Sequence, residues 1–332
     1  MSVKTLDRPT PAKKLPKGRP IQSMKAVRIH QYGGPEVLKF EDAPRPQPAV
    51  GELLIRTHAA AVNPVDWKIR EGYLKERVVY SLPLILGWDL SGTVEATGLG
   101  ATRFQKGDDV FTRPDIARDG AYAEYILVRE SEVTLKPKSI DHVNAAAIPL
   151  AALTAWQALF DAARLSTGQK VLIHAASGGV GSFAVQLAKW KGAHVIGTAS
   201  GGNQLFMAEL GVDEAIDYGK ARFEDVVRDV DVVFDTIGGE IQQRSWRVLK
   251  KGGILISIVS ASSPEEAAKH GVRQAYVFVQ PNAAELAEIA RLVDAGRVKP
   301  FVQTVLPLSE ARKAHELSET GHTRGKIVLK VV

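Results

Sequence analysis

KVLIHAASGGVGSFAVQLAKWKG, residues 170–192, is the stretch that decides the fold. An apolar run, KVLIHAA, leads straight into Ser177-Gly178-Gly179-Val180-Gly181, and SFAVQLAKWKG follows with the apolar spacing of a helix packed on one face. Strand, glycine turn and helix in that order make a seat for pyrophosphate. Helix N-terminal amides meet the anion, Gly178 lets backbone come close to it, and Gly181 permits tight packing of helix on strand. The pattern is Ala176-x-Gly178-x-x-Gly181, with alanine where the first glycine usually stands. A dinucleotide fingerprint then expects a carboxylate about 20 residues on, for the ribose 2′-hydroxyl. The end of HVIGTAS offers Ser200 instead, a small hydroxyl with room for a 2′-phosphate, so NADPH is expected over NADH.

Outward from this unit, further apolar runs alternate with helical stretches: AHVIGTAS (193–200), EAIDY (214–218), DVVFDTIG (231–238), GILISIVS (253–260) and QAYVFVQ (274–280). With 170–176 they predict an α/β unit over 146–281 with a parallel, doubly wound sheet. Residues 24–145 read differently, as short strands rich in Val, Ile, Gly and Pro punctuated by turns such as Gly33-Gly34-Pro35 and Gly107-Asp108, which predicts a partly barrel-like β domain. After Pro281 the pattern gives a helix over 282–296, a strand at 302–308, a helix at 309–319 and a strand at 326–332. These pieces are too few for a sheet of their own. They are expected to rejoin the first domain, so that 146–281 is inserted between 24–145 and 282–332.

A chain of 332 residues with 45% apolar content has enough for two cores. Its net charge of +6 is concentrated at the start. Residues 1–23 carry Lys4, Arg8, Lys13, Lys14, Lys17 and Arg19 against Asp7, a net +5, together with four prolines and few large apolar residues. A flexible basic tail is expected there, with a targeting peptide or basic arm as the alternative, and no specific nucleic-acid partner for the nearly neutral remainder. The absence of cysteine removes disulfides, thiolate nucleophiles and Cys-based metal sites, and suggests a cytoplasmic home. The longest apolar stretch, 145–160, contains Pro149, Thr154 and Gln157 and is too short for a membrane span of about 20 residues.

The motifs AAAVNPVDWKIREGY (59–73), GWDLSGTVEATG (87–98), FQKGDDVF (104–111), GAYAEY (120–125), AAAIPLAALTAWQAL (145–159), ELGVDEAIDY (209–218), VVFDTIGGE (232–240) and TGHTRGKIVL (320–329), with the glycine-turn stretch itself, run from about Met24 to Val332. In this order they resemble the medium-chain dehydrogenase/reductase superfamily, in its zinc-free quinone oxidoreductase and alkenal/enone reductase branch. The resemblance implies a Rossmann domain inserted into a GroES-like catalytic domain. Zinc alcohol dehydrogenases of that superfamily have Cys and a His-Glu pair where this chain has Asn63 and Trp88-Asp89, and their four-cysteine lobe has no counterpart here, so no metal is expected. The eight histidines read as surface or strand residues.

Without a metal to polarise an alcohol, the resemblance implies hydride transfer from NADPH to the conjugated double bond of an enone or alkenal, or to a quinone. The residues do not separate these substrates. A scaffold or crystallin-like NADPH-binding protein with vestigial activity is the alternative of another class. By the resemblance Asn63 lies beside nicotinamide and substrate, where its amide can meet the substrate carbonyl; an Asx-turn before Pro64 is equally open. Lys68 and Tyr73 are candidates to line the pocket and donate a proton, with surface exposure the other reading of Lys68. Thr154, Thr236, Phe278 and Lys326 match positions at the cofactor cleft, and Ser200 and Tyr218 at the adenosine end. Relatives often have a lysine just after the second strand. This chain has Gly201-Gly202-Asn203-Gln204, with Lys220 and Arg222 as possible compensation. A homodimer through the open edge strand QAYVFVQ is expected.

Overall fold

The computed structural model describes residues 22–332, so all but the last two residues of the expected tail lie outside the described residues. The first described element is β1 (Ser23–Ile29), followed by β2 (Lys39–Pro44), β3 (Glu52–Val62), β4 (Leu84–Ile85), β5 (Leu90–Thr97), β6 (Asp109–Thr112), β7 (Tyr125–Arg129) and β8 (Val133–Leu135). Six strands then alternate with helices: β9 (Lys170–Ile173), β10 (His194–Ala199), β11 (Glu214–Asp217), β12 (Val230–Asp235), β13 (Leu249–Ser257) and β14 (Arg273–Tyr276). Two more close the chain, β15 (Val302–Pro307) and β16 (Lys326–Lys330).

The six middle strands form one wholly parallel sheet in the order β11-β10-β9-β12-β13-β14. This is the doubly wound Rossmann order, which leaves a crevice at the carboxyl end of β9, where the direction of winding reverses. Val171, Leu172 and Ile173 on this central strand are fully buried, as a strand covered on both faces requires. The last run, QAYVFVQ, forms a strand only as far as Tyr276. Phe278 lies beyond it and turns toward the crevice, so the open edge offered by β14 is four residues long.

The other domain is built on β3, whose length lets it pair with β5, β7 and β16, all antiparallel. The C-terminal strands therefore do rejoin the first domain's sheet: β15 lies parallel to β16, and β16 sets Ile327 opposite Val62. A smaller sheet, β2-β1-β4, covers this one and is tied to it where the Val27 N–H donates to the Tyr122 carbonyl at 2.7 Å. The returning chain also touches the glycine turn, the Gly325 N–H donating to the Ser177 carbonyl at 2.9 Å.

After β9 the backbone turns sharply, with Ala175 at φ 46°, and the helix Gly179–Trp190 begins. A Cβ on Gly181 would stand 2.2 Å from the Ala175 carbonyl oxygen and 2.7 Å from the Ala176 Cα. These are backbone atoms that cannot swing aside, so glycine is what lets the helix start directly above the strand. Gly181→Ala is expected to cost about 1–3 kcal/mol of stability through overpacking, beyond the small gain in helix propensity. Urea unfolding checks this, and a variant as stable as the parent would show that the turn relaxes freely.

Candidate active site

A cleft of about 570 Å³ opens between the carboxyl end of the parallel sheet and the catalytic domain. It gathers seven of the residues singled out in the sequence: Asn63, Lys68, Tyr73, Thr154, Val180, Thr236 and Phe278. Ser177, Gly178, Gly179 and Gly181 form the turn beside Val180. The helix that starts there has no side-chain cap and no acidic residue in its first turn, so its amides face an electrostatically open position. Ser200 and Tyr218 stand apart from the cleft at the ends of β10 and β11, joined where the Tyr218 N–H donates to the Ala199 carbonyl at 3.2 Å.

Asn63 ends β3 and precedes the helix Pro64–Arg70. Its backbone N–H donates to Asp66 Oδ2 at 2.8 Å, a capping contact that fixes the start of the helix. Its side chain is fixed independently. Nδ2 donates to Asp89 Oδ2 at 2.9 Å, while Oδ1 accepts from the Lys326 ammonium. A carboxylate only accepts and an ammonium only donates, so the partners dictate which end of the amide is which. Asp89 is fully buried, binding Lys326 Nζ at 3.2 Å and accepting from the Leu150 N–H at 2.7 Å. Burial pushes its carboxyl upward against the pull of Lys326.

Lys326 is therefore not a free cation in the cofactor cleft. Its stem runs under the glycine turn, where a Cβ on Gly179 would meet its Cδ at 3.1 Å, and its ammonium is shared among Asp89, Asn63 and the Val62 carbonyl. Antiparallel pairing of β16 with the end of β3 is what brings it there. Thr154 donates back along its own helix to the Leu150 carbonyl at 2.7 Å, and Thr236 donates to the His174 carbonyl at 2.8 Å, so each leaves its oxygen lone pairs to the cleft.

The two candidate proton donors differ. Lys68 is half-buried, and burial lowers its pKa, which eases proton release. Tyr73 stands at the mouth, 68% exposed, with Glu71 beside its hydroxyl pushing the pKa up, which makes it a weaker acid than an ordinary tyrosine. At the end of β10 the Ser200 Oγ accepts from Asn203 Nδ2 at 2.9 Å and keeps its own proton free. Lys220 and Arg222 are drawn to acidic partners, Asp217 at 3.8 Å and Glu224 at 2.7 Å.

Several site residues carried no signal that sequence reasoning used. Arg77, Arg113 and Tyr276 line the cleft, and Asp66 lies beneath it. Asp66 was legible in principle, as an acid three residues after the Asn63 cap. Asp235, at the end of β12, accepts from the Ile237 and Gly238 N–H groups and from Gln242, which engages both its oxygens in holding the turn after that strand. His315 departs from the expected surface or strand position: it is buried on the helix Ala311–Glu319, where burial and the charge of Arg70 pull it down to about 3. Among the described residues no three His, Asp or Glu side chains come together as a metal would require, and no helix is long and apolar enough to cross a membrane.

Comparison with known proteins matches residues 49–138 to the alcohol dehydrogenase GroES-like domain and 210–329 to the zinc-binding dehydrogenase family. The chain is 35% identical to the mouse NAD(P)H oxidoreductase RTN4IP1, a mitochondrial protein, over 93% of this chain and 89% of that one. It is also 35% identical to the chloroplastic NADPH-dependent alkenal/one oxidoreductase of Arabidopsis thaliana, over 93% and 80%. Among solved structures, the quinone oxidoreductase of Coxiella burnetii superposes with a TM-score of 0.89 at 37% identity, covering 94% of this chain and all of that one. The compartments named for the first two are ones that a lack of cysteine does not distinguish from the cytoplasm.

Asp66 gives a pH test of the packing under the site. It is fully buried, accepts from Asn63 N–H and from the Tyr122 hydroxyl at 2.9 Å, and burial pushes its pKa up to about 7. An unfolded aspartate loses its proton near pH ~3.9. Between these values the folded chain holds the extra proton, so the contribution of Asp66 to stability is full below about pH 4 and falls as pH rises toward 7. Asp66→Asn is expected to shrink the loss of stability between about pH 4.5 and 7 in urea titrations. An unchanged difference would mean that Asp66 ionises normally.

Proposed function

The chain belongs to the medium-chain dehydrogenase/reductase superfamily, and from that premise we propose that it is a zinc-independent, NADPH-dependent reductase of the conjugated double bond of enones and alkenals, or of quinones. The observation that carries this reading is the Asn63 amide. Lys326 holds its oxygen and Asp89 takes one of its two N–H hydrogens, which leaves the other N–H as a fixed donor on the wall of the cleft. An ammonium on the amide oxygen draws electrons from the nitrogen and strengthens that donor. Such a donor stabilises the charge that builds on a carbonyl or quinone oxygen when the conjugated system is reduced, and it does so without reorganising.

Bound NADPH supplies hydride from its C4 carbon. The uncapped helix N-terminus after Gly178 suits its pyrophosphate, and the free Ser200 hydroxyl proton suits a 2′-phosphate. Val65, Leu74, Leu150, Ile258 and Phe278 give the cleft an apolar stretch of wall, which helps to exclude water from the reacting carbon. Lys68, with its lowered pKa, is the preferred proton source on the opposite carbon.

Enone reduction is expected to deliver deuterium from the C4 position of labelled NADPH to the β-carbon, read by NMR of the product. Label on the carbonyl carbon of an allylic alcohol would overturn conjugate reduction. Asn63→Ala is expected to lower kcat/KM by about 10²-fold, in line with loss of one oxyanion donor. Tyr73→Phe, at an exposed position, should cost far less.

For the cofactor, Ser200 predicts a preference for NADPH over NADH of about tenfold in kcat/KM, near the lower end for a hydrogen bond to a charged group because Asp217 lies close by. Ser200→Asp should bring the ratio below one. A ratio near one in the parent that the substitution leaves unmoved would show that position 200 does not face the ribose.

A further inference from the structure

Three cations and no carboxylate line the cleft among the described residues: Lys68, Arg77 and Arg113. The first two rest near aromatic rings, Lys68 over Trp67 at 5.6 Å and Arg77 over Tyr276 at 6.0 Å. Arg113, just past the end of β6, is only 2% exposed. Its Nη1 donates to the adjacent Pro114 carbonyl at 3.2 Å, and its buried Nε has no partner among the described residues. A guanidinium offers five N–H donors and stays protonated, so burying one with so few acceptors is costly.

The surrounding carboxylates do not repay that cost. Asp115, Asp89 and Glu132 act on Arg113 from a distance. None is hydrogen-bonded to Arg113: Asp89 is held by Lys326 and Asn63, Asp115 by Arg129, and Glu132 by Arg129 through Oε1 while its buried Oε2 has no partner among the described residues. The Tyr80 hydroxyl, close enough to feel the Arg113 charge, is a second buried donor without an acceptor. Arg113 is thus a buried cation on the cleft wall with no carboxylate bonded to it among the described residues.

We propose that Arg113, with Lys68 and Arg77 adding to the field, receives an anionic group of the substrate, so that the preferred substrates are enones or quinones bearing a carboxylate separate from the carbonyl that Asn63 polarises. This deepens the reductase reading and rests on it. Cofactor phosphates have the same chemistry, but they have a seat of their own at the helix Gly179–Trp190 and at Ser200.

The test uses the full chain with NADPH and a matched pair, an alkyl enone with a terminal carboxylate and its methyl ester. The acid is expected to exceed the ester in kcat/KM by about tenfold or more, with added salt raising KM for the acid and not for the ester. Arg113→Met should bring the ratio near one and Arg113→Lys should restore part of it, with KM for NADPH little changed in both. Equal use of acid and ester by the parent, with no effect of salt, overturns the proposal without any variant. So does an Arg113→Met protein whose KM for NADPH rises while the acid-to-ester ratio persists, because the cation then serves the cofactor. If neither compound is reduced, calorimetric titration of the NADP⁺-loaded parent with the saturated keto acid and its ester separates the two readings. Selective binding of the acid that Arg113→Met abolishes upholds the anion site while the reductase reading fails. Equal or absent binding overturns the site as well.

Discussion

The buried contact of Lys326 with Asp89 holds the functional half of the molecule together. Asp89 receives the Leu150 N–H at the start of the helix Pro149–Trp156, the Asn63 amide at the end of β3, and the ammonium from β16. Four segments far apart in sequence therefore meet on one carboxylate. An ion pair in such a place adds little net stability, since desolvation of both charges offsets most of their attraction. Removing one partner is another matter: it strands the other charge, at a typical cost of 3–5 kcal/mol. What the pair provides is direction. With Lys326 on one end and Asp89 on the other, the Asn63 amide has one orientation, and so does the donor it turns to the cleft.

The same contact requires two stretches far apart in the chain to share one sheet. Asn63 and Asp89 belong to the first part of the chain and Lys326 to the last, and only the return of β16 alongside β3 brings them into register. That return also sets Gly325 against Ser177, so the strand that completes the catalytic sheet is hydrogen-bonded to the turn that begins the dinucleotide helix. The cleft is thus bounded on one side by a turn and on the other by Asn63, with Lys326 packed between them.

Much of this was legible in the sequence because it is local or periodic. The run at 170–192 gave the central strand, the turn and the helix, and the alternating apolar runs gave all six parallel strands, since buried strands and amphipathic helices leave distinct periods. The brevity of the C-terminal pieces was enough to send them back to the first domain. Of the seven cleft residues, Val180 came with the glycine turn, while Asn63, Thr154, Thr236 and Phe278 were reached through motif resemblance, which encodes long-range proximity that spacing alone does not. Contacts between distant segments were not legible: Lys326 reads as one more cation near a glycine motif until β16 is paired with β3. Arg113 sits in DDVFTRPD with neighbours that give no hint of burial, and the short reach of β14 depends on where the chain leaves the sheet toward the cleft.

Charge is distributed unevenly along the site, and this bears on both of its ligands. At the adenosine end the hydroxyl of Ser200 is a neutral donor, while the Asp217 carboxylate lies where a Cβ on Gly201 would meet Oδ2 at 2.6 Å, and it also accepts from the Gly219 N–H at 3.0 Å. Lys220 approaches that carboxylate only loosely, as an exposed pair that solvent screens. The Ser200 donor and the Asp217 carboxylate act on an anion at this position in opposite senses, so the net attraction there is a small difference of opposing terms. At the other end Lys68, Arg77 and Arg113 line a cleft that no carboxylate lines among the described residues. The field therefore runs from the Asp217 carboxylate at the end of β11 toward the three cations that line the cleft, so the two ends of the site attract an anion unequally.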